Sequence, residues 1–197
     1  MSYPTKDEFS KLLNSRDHGT IVEEFLIAGL PYVFKNSPTD YDALCSTIGS
    51  AFTLAVDTMT VIGSGRIGYS LSPDKYGAPF STESDIDVAV VNAELFDTAW
   101  FELLRLSRKK YFSLEKQVQS WIAAHREGHI FWGFVCPDRL PGVVGLSRTW
   151  FRTFKGLARI PTLAGRDVNG RLYRTWEHVK IHQLNSLRTI QRALRTR

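Results

Sequence analysis

The sequence is short of cysteine, with Cys45 and Cys136 alone among 197 residues, far apart and in apolar surroundings. That scarcity excludes a disulfide framework and a cysteine-built zinc knuckle, and predicts two reduced core residues. No apolar run approaches the roughly 18 residues needed to cross a bilayer. The opening stretch MSYPTKDEFSKLL has neither the basic start nor the apolar middle of a secretory leader. These absences predict a soluble, cytoplasmic protein with no membrane partner. Repeats, low-complexity tracts and an obvious linker are missing too. The chain 1–197 therefore reads as one domain, with a helical N-terminal part (1–57), a core (58–140) and a basic C-terminal part (141–197). The histidines, His18, His125, His129, His178 and His182, show no spacing that supports a metal centre. His178 and His182 stand at i, i+4, but no third ligand accompanies them, which argues against zinc.

Charge is abundant but unevenly placed. Residues 1–147 carry 13 Lys+Arg against 18 Asp+Glu, whereas 148–197 carry 12 against 2. A polyanion is the natural partner of so concentrated a cation, a solvated basic surface being the plainer alternative. In LSRTWFRTFKGLARI, residues Arg148, Arg152, Lys155 and Arg159 recur at i, i+4, i+7 and i+11. At 100° per residue they fall within about 60° of one another, a narrow stripe whose charges repel unless something anionic lies there. Trp150, Phe151, Phe154 and Leu157 occupy much of the opposite side and read as core, with base-stacking platforms as the alternative for the aromatics. Arg188, Arg192 and Arg195 repeat the basic spacing on the last helix. A nucleic acid or an acidic protein would satisfy such a surface.

Hydropathy periodicity predicts helices over about 5–13, 19–34 (disturbed by Pro31), 37–56, 94–110, 113–126, 147–159 and 173–194. MTVI and DIDVAVV read as strands and HIFWGFV as a third. DVNGRLY, with Asn-Gly between strand formers, carries a hairpin signal. Helices around a small sheet make the fold class α+β, an α/β mixture.

Two motifs carry chemistry. VIGSGRIG ends a short apolar run in Gly63, Ser64 and Gly65, with Gly68 following. Such a turn brings backbone N–H groups close to a ligand, and these amides with the Ser64 hydroxyl suit phosphate oxygens. It matches neither the dinucleotide fingerprint nor the P-loop, which needs Gly-Lys-Ser/Thr. In SDIDVAVV, strand alternation puts Asp85 and Asp87 on one face, about 7 Å apart at Cα, with Ile86, Val88 and Val90 on the other. Two half-buried carboxylates repel, and a divalent cation removes that cost. Mg²⁺ is favoured because it binds one or two carboxylates and fills its shell with water and phosphate oxygens. The plainer reading leaves Asp85 ending a loop and Asp87 facing solvent.

Taken together, Gly63, Ser64 and Gly68 followed by Ser84, Asp85 and Asp87 resemble the nucleotidyltransferase superfamily, which includes DNA polymerase beta and the bacterial antibiotic nucleotidyltransferases. The resemblance covers roughly residues 58–92. It implies that Asp85 and Asp87 hold two Mg²⁺ ions, with Mn²⁺ as a substitute. It also implies that Gly63 and Ser64 grip a nucleoside triphosphate, with Ser84 beside them and Arg66 placed in sequence to touch a phosphate. The activity implied is transfer of a nucleoside monophosphate from an NTP or dNTP to a hydroxyl of a nucleotide, nucleic acid or protein, with release of pyrophosphate. The alternative is a catalytically inactive module that binds nucleic acid or a partner protein. Two departures stand out. Twenty residues separate Ser64 from Asp85, with GYSLSPDKYGAPF as the added loop, and no later strand shows an obvious third acid. Asp138, just after HIFWGFVC, is the best candidate for that role, with Asp167 and Glu177 as the other choices.

Overall fold

The computed structural model describes residues 3–141 and 144–195. In chain order its principal elements are α1 (Lys6–Ser15), α2 (His18–Ile21), α3 (Pro38–Phe52), β1 (Met59–Ile62), α4 (Ser64–Ile67), β2 (Ile86–Val91), α5 (Ala93–Lys110), α6 (Lys116–Ala124), β3 (Phe134–Val135), α7 (Gly145–Gly156), β4 (Val168–Tyr173) and α8 (Trp176–Arg195). This is the expected α+β class. The strands form one mixed sheet in the order β1-β2-β4-β3, with β2 antiparallel to β1 and parallel to β4.

Alternation along β2 organises the two sides of the sheet. Ile86, Val88 and Val90 are fully buried and join Val61 and Leu172 beneath Leu44 and Ile48 of α3, Phe96 and Leu103 of α5, and Trp150 and Phe154 of α7. Each such aliphatic side chain contributes about 1.5–3 kcal/mol on burial. The other face carries Ile62, Ala89, Phe134 and Tyr173 and is covered by Val179 at the start of α8. Further along α8, Leu187 and Ile190 pack on Phe9 and Leu13 of α1 and Ile21 of α2. The first and last parts of the chain thus share one apolar cluster. Among the described residues, no helix is long and apolar enough to cross a membrane.

Four local expectations need correction. The Asn169-Gly170 pair makes no hairpin but lies within β4, whose six residues all pair with β2. Glycine is required there, because a Cβ at Gly170 would sit 2.4 Å from the Phe154 ring and 2.5 Å from Trp150. Those rings are stacked with centroids 4.6 Å apart and press α7 onto the sheet. The predicted strand HIFWGFV is strand only at Phe134–Val135, since His125–His129 continues α6 as a π-helical turn. The helix expected over 19–34 stops earlier: α2 passes into a π-helical turn, Val22–Ile27, and Gly29 turns the chain at φ +80°. Arg66 accounts for that stop. Its guanidinium donates to the carbonyls of Phe25 (3.2 Å) and Gly29 (2.8 Å), groups that a helix end leaves unpaired. Finally, Phe151 is 59% exposed rather than buried, because it lies only about 40° from Lys155 on the helical wheel.

Candidate functional site

The end of β1 and the start of β2 meet at one end of the sheet, where Ile62 pairs with Asp87. Gly63 takes φ +70° and ψ −149°, a conformation that essentially only glycine adopts, and sends the chain away from the sheet. A Cβ on Gly63 would come within 3.3 Å of Asp87 Oδ2, so the missing side chain leaves the carboxylate reachable beside the turn. Gly63, Ser64 and Asp87 line one cleft of about 560 Å³. Gly63 and Ser64, distant from Asp87 in sequence, are therefore adjacent to it in space, whereas Ser84 and Asp85 are not among the residues lining this cleft.

The remaining walls come from three other segments. The long loop after Gly68 contributes Ser70, Leu71, Ser72 and Pro73. That loop is anchored at its base: Tyr69 and Tyr76 are buried, Tyr76 shares a hydrogen bond with Ser10, and Gly77 N–H donates to the Ser70 carbonyl. A second wall is the polar stripe of α8, formed by His182, Asn185, Ser186 and Thr189 at i, i+3, i+4 and i+7. Trp132 and Phe134 supply an apolar patch, and Arg171 of β4 completes the lining.

Asp87 and Arg171 dominate the electrostatics. Their charged atoms lie 4.0 Å apart, and about a third of each side chain is exposed. Burial raises the Asp87 pKa above the ordinary aspartate value. Arg171 opposes that rise, and the charges of Asp85 and Asp138 add to it. Both acids therefore stand near enough to act on Asp87. Asp85 is exposed one residue before β2, and Asp138 follows β3. The neighbouring strand β4, on the face it shares with Asp87, presents Asn169 and Arg171 rather than a carboxylate.

Two residues expected to touch nucleotide do other work. Arg66 is 1% exposed, and its donors are taken by backbone carbonyls and the Thr60 hydroxyl, so it is no part of the cleft. The Ser84 hydroxyl accepts from Ser81 N–H and closes the turn before β2, and Arg166 donates to the Ser84 carbonyl. Asp138 lines a different groove, together with Arg148, Arg152, Lys155 and Arg159. Asp167 accepts the Ile86 N–H through its backbone carbonyl, at the base of the same strand pair.

Several residues of the site were missed in the sequence. The α8 stripe was legible as polar residues at helical spacing, and Arg171 as a charge inside a strand pattern. His182, which lacks the ligand set of a zinc site, shares a 2.7 Å hydrogen bond with Tyr173. Burial, with help from Arg171 and His129, pushes its pKa down to about 4. His125, His129 and Cys136 also come together, with one ligand atom of each within 4.8 Å of the others. His125 is already satisfied: Nδ1 bonds the Trp121 carbonyl and Nε2 accepts from Cys136 N–H. Burial holds the Cys136 thiol up at about 11, a poor thiolate donor. Comparison with protein-family models, with curated proteins and with solved structures found no match for this chain.

Proposed function

We propose that this protein is a Mg²⁺-dependent nucleotidyltransferase that moves a nucleoside monophosphate from an NTP or dNTP to a hydroxyl acceptor, releasing pyrophosphate. The observation that carries the reading is that the Gly63–Ser64 turn and Asp87 line one cleft, with glycine's missing side chain leaving the carboxylate accessible. Asp85 and Asp87 are the residues that would hold Mg²⁺, or Mn²⁺ in its place. The donor set fits, because an acid whose pKa is raised by burial and by two neighbouring carboxylates gains from a cation. When bound, such ions neutralise triphosphate charge and make the α-phosphorus easier to attack.

This chain's own residues supply the rest. Amides of the turn and the Ser64 hydroxyl bind phosphate oxygens. Arg171 offers a fixed positive charge beside Asp87 and shifts from the carboxylate to the substrate's phosphates. Trp132 and Phe134 give an apolar surface for the nucleobase, and Asn185, Ser186 and Thr189 give hydrogen-bonding groups for sugar and base edges. Asp138 is the candidate to take the acceptor's proton.

Incubation with each labelled triphosphate and Mg²⁺, followed by mass analysis of small products and of the protein, tests the proposal. Pyrophosphate and a nucleotidylated product are expected. Asp85→Ala combined with Asp87→Ala abolishes both, and residual product in a folded double variant removes these acids from the mechanism.

A second reading has its own support. Arg171 already pairs with Asp87, and β4 presents no third acid on that face. In that case the cleft binds a triphosphate without turning it over, and the same assay gives saturable binding with no pyrophosphate.

A further inference from the structure

The α7 surface carries a concave groove of about 740 Å³, lined by Arg148, Arg152, Lys155, Arg159 and Phe151 together with Asp138. Arg152, Lys155 and Arg159 form no ion pair with any carboxylate among the described residues. Phe151 presents 59% of its surface to solvent in their midst, with Lys155 Nζ 5.8 Å from its ring centroid. We propose that this groove holds a single-stranded nucleic acid, its phosphates on the cations and a base stacked on Phe151.

The ring decides among polyanions. An acidic peptide or a duplex would neutralise the cations, but the peptide has no flat π-face and the duplex keeps its bases stacked inside. Either would leave Phe151 exposed to water. A single strand offers phosphates and free base faces together, the combination that cationic grooves with aromatic platforms recognise. Arg148 to Arg159 spans about 16 Å at about 1.5 Å per residue, the reach of a short stretch of strand.

Asp138 gives the strand a direction. A carboxylate repels phosphate, so the end of the strand nearest it is a terminal sugar hydroxyl, which is uncharged. Asp138 follows β3, which runs antiparallel to β4 and so points toward the end of the sheet where β2 begins. The hydroxyl therefore lies toward the acid end of the sheet, making the strand the acceptor. This last step rests on the transferase reading; the binding does not.

Fluorescence anisotropy of the full chain with a labelled single-stranded 12-mer, its duplex and a polyglutamate peptide tests the proposal, without triphosphate or Mg²⁺. The single strand should bind tightest, with log Kobs falling against log salt at a slope of about −2 to −3 for three to four phosphate contacts. Arg152→Ala with Lys155→Ala should flatten that slope by about 1.4. Phe151→Ala should weaken binding about 5- to 150-fold with the slope unchanged, and Phe151→Trp should restore it. Equal or tighter binding of the duplex or of polyglutamate, an unaffected Phe151→Ala variant, or no binding at low salt would overturn it. Because Asp85→Ala/Asp87→Ala should bind the strand as well as wild type, loss of the transferase activity alone leaves this inference standing.

Discussion

Replacing Gly63 by alanine tests the cradle on two independent scales. At φ +70° and ψ −149°, a residue with a Cβ is strained by about 1–3 kcal/mol. With a urea m-value of about 2 kcal/mol/M, that lowers the unfolding midpoint by about 0.5–1.5 M. The new methyl would also stand 3.3 Å from Asp87 Oδ2, close enough to displace the carboxylate by a few tenths of an ångström and to fill the space left for a phosphate. Gly165→Ala is the control: its φ is +74°, yet nothing lies within 4 Å of the Cβ it would gain, and it is not among the cleft-lining residues. Urea denaturation should show both variants destabilised, since each gains a Cβ at positive φ. Isothermal titration with a Mg-triphosphate should show weakened binding in Gly63→Ala only. Wild-type stability in Gly63→Ala, or equal loss of binding in the control, would refute the reasoning.

Arg66→Met should cost about 1–3 kcal/mol in urea unfolding, because it leaves the Phe25 and Gly29 carbonyls without their part-buried donors. Triphosphate affinity of the folded variant should be unchanged, and a specific affinity loss would return Arg66 to the site. Asp87 has a folded pKa above its unfolded value, so in EDTA the stability it contributes is lost as pH rises through that raised pKa. Asp85→Asn should move the Asp87 carboxyl titration, followed by ¹³C NMR, toward the ordinary value, and an unmoved titration contradicts the coupling. His129 and His182 titrate the other way. Burial lowers both to about 4, so their contribution is complete above pH 6.5 and is lost as pH falls toward 4. Urea midpoints measured across that window should decline on acidification, and a flat profile would contradict neutral buried rings.

Local signals carried much of the fold and half of the site. The apolar alternation of Ile86, Val88 and Val90 fixed β2 and the face bearing Asp87, and the glycine turn was legible because only glycine suits its backbone. Asn169-Gly170 misled because a hairpin signal is local, whereas the glycine answers to Phe154 and Trp150 arriving from another helix. Arg66 misled for a related reason. Proximity to a glycine turn suggested phosphate, but its partners are carbonyls 37 and 41 residues away. The α8 wall and Arg171 escaped notice because a polar stripe takes on meaning only when the opposing surface is known.

The central claim is that the turn at Gly63 and the acids at the start of β2 form one Mg-triphosphate site. Amide ¹H–¹⁵N shifts followed during titration with a non-hydrolysable triphosphate and Mg²⁺ test it most directly. The account predicts the largest changes at Gly63, Ser64 and Asp87, abolished when Asp85 and Asp87 are both alanine. Changes centred elsewhere, or unaltered in that double variant, would contradict it.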